Sequence, residues 1–177
     1  MFDRCWRHLL AALLWLLADG ACAADLWDRI GPARIGAARE QLDVALACDE
    51  NRHCALSAIA GATFAGVPVR AVELQFLQEQ LARVAVTLSE RYYSTLLSFL
   101  GTQLGASDDR TFRARGGMAA AEFEAGVHLW EHAGVSLVLE QFASKIDRSL
   151  LTYGSASAMA DLVRSKTSYP RGAHRDL

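Results

Sequence analysis

Residues 71–100 read AVELQFLQEQLARVAVTLSERYYSTLLSFL, and the period assigned to their apolar side chains decides the fold. Leu74, Leu77, Leu81, Val84, Leu88, Tyr92, Leu96 and Phe99 recur at spacings of three and four, with Gln78, Glu79, Arg83 and Glu90 between them. Such spacing gathers the apolar set on one side of a helix. The stretch therefore predicts a long amphipathic helix over 69–104, frayed and stopped by Gly101 and Gly105.

Downstream, 106–117 is a polar connection bounded by Gly116 and Gly117, and a second long helix is expected over 118–153. Its stripe is Val127, Val135, Val138, Phe142, Ile146, Leu150 and Tyr153, flanked by Trp130 and Leu139, with Gly154 as its stop. Upstream, Pro32 and Pro68 stand where helices could begin, and 33–47 and 55–66 read as further helical segments. After Gly154 the chain has room for one short helix. The sequence shows neither solenoid repeats nor a βαβ alternation. The fold expected is all-α, a bundle of three to five helices dominated by a long antiparallel hairpin.

The N-terminus predicts export. Arginines in MFDRCWRH precede the apolar run from Leu9 to Ala18, and Ala21-Cys22-Ala23 matches a small-residue cleavage site. An apolar core of ten residues falls short of the roughly 20 needed to span a bilayer. Lipid attachment at Cys22 is disfavoured by Asp19, three residues before it. The organisation expected is a cleavable signal peptide over 1–23, a bundle domain over 24–164 and a polar flexible tail over 165–177, in a periplasmic or secreted product. The net charge of −2 and the scattered basic residues offer no nucleic-acid surface. No later segment is apolar enough to cross a membrane.

Cleavage would leave two of the four cysteines, Cys48 and Cys54. In an exported chain a close pair predicts a disulfide. Six residues of continuous helix would part the Cα atoms by about 9 Å, beyond the usual limit of about 7 Å. The bond therefore requires the chain to turn between the two, and Asp49 and Asn51 suit a turn. A metal cluster of both thiolates with His53 is the alternative, and oxidation removes it.

Residues 128–132, HLWEH, carry the strongest chemical signal. On a helix His128 and His132 would share a core-facing sector with Glu124 and Glu131, and four ionisable groups there need partners. In the expected hairpin, His132 faces Glu90, Glu131 faces Arg91, and His128 lies near Tyr93 and Ser94. A divalent metal, zinc for choice, would be held by His128 and His132 with Glu90 or Glu124, while Glu131 polarises a bound water. This metal site is the alternative reading; the leading one is a polar patch without metal, and no cofactor is expected. The H-x-x-E-H order resembles the inverzincin peptidases over these five residues. That family needs a further glutamate well downstream, and the glutamate after His132, Glu140, is too near. In the leading reading the buried polar patch has Glu131 paired to Arg91. Tyr92, Tyr93 and Trp130 are candidate walls of a small-ligand site.

No P-loop, G-x-S-x-G, dinucleotide fingerprint or haem motif is present. The function expected is non-enzymatic: an exported protein that binds another envelope protein as an accessory, chaperone-like or toxin-neutralising factor. The alternative is a small metal-dependent hydrolase centred on HLWEH.

Overall fold

The computed structural model describes residues 25–49, 53–57, 59–116, 121–143, 145–167 and 174–176. In chain order they form helix α1 (Leu26–Ile30), strands β1 (Leu46–Cys48), β2 (His53–Leu56), β3 (Thr63–Phe64), β4 (Val67–Leu77) and β5 (Gln80–Ser89), and helix α2 (Tyr93–Leu104). Strands β6 (Asp108–Asp109), β7 (Phe112–Gly116), β8 (Ala121–Ala125), β9 (Val127–His132), β10 (Val135–Glu140) and β11 (Arg148–Ser155) follow, then helix α3 (Ala156–Thr167) and strand β12 (His174–Asp176). The expected signal peptide, 1–23, lies outside the described residues.

The all-α bundle is thus overturned. Residues 69–104 are not one helix: they comprise most of β4, all of β5, a 3-10 turn at Glu90–Tyr92 and α2. Val72, Leu74 and Phe76 on β4, and Val84, Val86 and Leu88 on β5, are buried, while Glu73, Gln75, Ala85 and Thr87 lie between them. That is the period of two of a strand. A run this rich in apolar residues satisfies both periods, and the helical choice passes over Val72, Phe76 and Val86. The turn is equally disguised. Gln78 and Glu79, at φ 51° and 63°, form the two-residue loop between Leu77 and Gln80, where Asn-Gly is the usual marker.

The second expected helix is replaced in the same way by β8, β9, β10 and β11. Ala133 and Gly134, at φ 51° and 80°, make another two-residue loop between His132 and Val135. Ile146, assigned to the buried stripe, is 71% exposed. Gly154 is no helix stop: it lies inside β11, where a Cβ would come 2.4 Å from the carbonyl oxygen of Ala82 on β5. Earlier, 33–47 holds 3-10 turns and β1, and 55–66 holds the end of β2 and all of β3. Pro32 does open a 3-10 turn, whereas Pro68 is the second residue of β4.

The main sheet has nine strands in the order β1-β2-β4-β5-β11-β10-β9-β6, with β3 added on β4, and its neighbours are antiparallel. β7 and β8 continue the β6 and β9 ribbon into a second sheet, where β12 pairs with β7 in parallel. One face of the main sheet, including Leu74, Val84, Val86, Leu137, Leu139, Leu151 and Tyr153, shares one apolar core with Leu26, Ile30, Leu96 and Leu100 from α1 and α2. Asp25 locks this end: its carboxylate accepts from Trp27 N at 3.0 Å, capping α1, and from Ala65 N and Gly66 N at 2.8 and 2.7 Å in the β3–β4 turn. On the opposite face, Met159 of α3 is buried against Val127, Leu129 and Val138. Lys166 of α3 pairs with Glu140 of β10, both largely buried.

Candidate functional site

The strand assignment scatters the residues of the candidate metal site. Four residues along a strand separate His128 from His132 by about 13 Å, whereas on a helix they would be neighbours. Glu131 points to the opposite face of β9, in register with Ser136. Glu124 sits on β8 in the second sheet, opposite Arg113. Glu90 accepts a 2.7 Å hydrogen bond from Gln141 Nε2. Among the described residues, no three His, Cys, Asp or Glu side chains are placed to hold a metal ion.

What the fold does gather is a cluster around His128. Its Nδ1 lies 2.9 Å from Ser107 Oγ, in the loop after α2. The ring stands between Tyr93, 6.1 Å away, and Trp130, 6.0 Å away. Trp130 Nε1 donates to the Gly105 carbonyl at 3.0 Å. Asp109 on β6 is the cross-strand partner of His128. Burial pushes the imidazole below its ordinary pKa, and the Asp109 charge opposes that only in part. Burial, and then Asp109, raises the Tyr93 phenol. Tyr93 Oη is buried without a hydrogen-bond partner and lies over Gly126, where a Cβ would come within 2.0 Å of it. Tyr92 is not part of this cluster; the Arg91 guanidinium lies 4.7 Å over its ring. The arrangement makes His128 a neutral, hydrogen-bonded histidine at the edge of the core. Its neighbour Tyr93 was expected from a helical hairpin, but the contact is made between a helix and a strand.

A different surface lies on the far side of the sheet. α3 covers the β9–β11 half of that face, and β1, β2, β4 and β5 carry a depression of about 360 Å³ beside it. Its floor is small: Ala47, Ala55 and Ala85. Around it stand Asp49, His53, Glu73, Gln75 and Arg83. Cross-strand register explains the pattern, since Ala47 pairs with Ala55, Ala55 with Glu73, Glu73 with Ala85, and Gln75 with Arg83. Glu73 and Arg83 are therefore diagonal neighbours on one face. Neither forms an ion pair with the other or with any described residue.

The outer wall of this depression is held covalently. Cys48 and Cys54 are disulfide-bonded, directly opposite each other in the β1–β2 ladder, with Cα atoms 3.9 Å apart. Antiparallel pairing supplies the approach that a continuous helix would deny. None of Ala55, Glu73, Arg83 and Ala85 stands out in sequence as a site residue. The usable signal is the alternation of Ala71, Glu73 and Gln75 with Val72, Leu74 and Phe76, which becomes legible only when 71–77 is read as a strand.

No family model matches the chain, and neither the curated proteins nor the solved structures contain a match to it.

Proposed function

We propose that this protein is an exported binding factor that holds another envelope protein against the uncovered half of its sheet. The observation that carries the reading is the pair of opposite charges Glu73 and Arg83, which form no ion pair among the described residues and are set around an alanine floor. Two charges a diagonal apart on a sheet could pair with each other at little cost. Left apart, they are available to a partner of complementary charge, and the small side chains between them admit its surface. Such complementarity governs encounter rate and specificity. The Cys48–Cys54 bond supports an oxidising compartment and fixes the β1–β2 wall. No described helix is long and apolar enough to cross a membrane.

The test is site-specific photo-crosslinking in cells, with the reactive residue at Ala55 or Ala85 and a control at Ser98 on the exposed side of α2. The expected result is one adduct of defined mass from both alanine positions, absent at Ser98 and lost when Glu73→Arg and Arg83→Glu are combined. Adducts of equal yield at all three positions, or none at the two alanines, would overturn the reading.

A further inference from the structure

His132, detached from the candidate metal site, lines a cavity of its own. It lies between α1, the C-terminal end of α2 and the β9–β10 loop, and measures about 370 Å³. Trp27, Ile35, Leu104 and Val135 form apolar walls, all half-buried. The two polar side chains that line it, Gln103 and His132, are both exposed and so stand at its opening. Through Ile35, Ala133 and Val135 it continues into a second, more polar depression of about 610 Å³ beside the β4–β5 loop.

Trp27 does not fold inward to fill this space because its ring is committed elsewhere. It packs edge-on against Phe64 at 5.5 Å and Phe99 at 4.9 Å. A preformed apolar cavity of this size with a few polar groups at one end has the form of a small-molecule site. At about 30 Å³ per water-sized atom, it accommodates roughly a dozen non-hydrogen atoms. The imidazole and carboxamide at the opening both offer N–H donors, which suit a carboxylate. We infer that the cavity binds an amphipathic monocarboxylate, its chain against Trp27 and Leu104 and its head between His132 and Gln103. This site is separate from the face carrying Glu73 and Arg83 and does not depend on it.

Decanoate, with ten carbons and two oxygens, is the probe, and the indole N–H resonances of the exported protein are the readout. The expected result is a saturable shift of the Trp27 resonance while that of Trp130, buried and bonded to Gly105, stays in place. Ala33→Phe, on the cavity wall, weakens binding at least about tenfold. His132→Ala, at an exposed position, weakens decanoate about tenfold while leaving 1-decanol unchanged. No Trp27 shift up to about 1 mM decanoate would overturn the inference, as would both indoles moving together. So would equal loss of decanoate and decanol in His132→Ala, a measurement that holds even if Ala33→Phe fails to fold.

Discussion

The Tyr153 hydroxyl donates a 2.8 Å hydrogen bond to the Ile30 carbonyl, 123 positions earlier in the chain. Both residues are wholly buried, and burial holds the phenol pKa well above its usual value, so it remains a donor. The bond fastens α1 and the segment after it to the centre of the large sheet. Tyr153→Phe leaves the Ile30 carbonyl without its partner, and a loss of about 1–3 kcal/mol is expected. Urea unfolding measures it; a change under about 0.5 kcal/mol would show that the carbonyl finds another donor.

The Cys48–Cys54 ring is small, so its chain-entropy contribution is about 2 kcal/mol. A Cys48→Ser/Cys54→Ser variant should lose that much and show faster amide exchange in β1 and β2. Protection in β5 and β11, at the sheet centre, should stay unchanged in native-state exchange at low denaturant. Uniform loss of protection across the sheet would argue against a local clamp.

Gly126 has no room for a side chain, because a Cβ would lie 2.0 Å from Tyr93 Oη and 2.8 Å from its Cζ. Gly126→Ala should cost about 1–3 kcal/mol through overpacking. Tyr93→Phe alone should be neutral or stabilising, since it removes a buried hydroxyl that has no partner. Adding Tyr93→Phe to Gly126→Ala should recover part of the loss. Thermal unfolding of the three variants gives the answer, and a double variant worse than the sum of the singles would refute this packing.

His128 has a folded pKa below its unfolded value, chiefly because of burial. Between the two values the unfolded chain binds more protons, so the contribution of this residue falls as pH drops from about 7 towards 5. Stability of the wild type relative to His128→Gln should therefore decline across that interval and level off above it. An unchanged difference from pH to pH would mean that the imidazole titrates alike in both states.

Ala133 adopts φ 51° in the two-residue loop joining β9 to β10. This left-handed conformation disfavours alanine and suits asparagine, and Ala133→Asn would create the Asn-Gly pair preferred in such turns. A gain of about 0.5–1 kcal/mol in denaturant unfolding is expected. Destabilisation would show that the loop backbone differs from the one described.

Part of the architecture is readable from residue order alone. Leu96 and Phe99 lie in α2, the one part of the helix expected over 69–104 that is α-helical. The single short helix allowed after Gly154 is α3. Cys48 and Cys54, the pair expected to bond in an exported chain, are bonded. Over 69–89 and 121–155, however, apolar residues are so dense that spacings of two, three and four are all populated. The hairpin loops that would break the tie carry Gln78-Glu79 and Ala133-Gly134 in place of Asn-Gly.

The sequence by itself determined that the two cysteines come within bonding reach once the chain turns between them, and that the chain after Gly154 has room for one short helix, because each of these follows from local chemistry. Only the tertiary structure decided that Val84 and Val86 are cross-strand neighbours of Tyr153 and Leu151, that His128 meets Ser107 and parts from His132, and that Glu73 and Arg83 share an open face. Strand pairing joins residues far apart in the chain. A change of period from 3.6 to 2 sends half of the side chains to the other face.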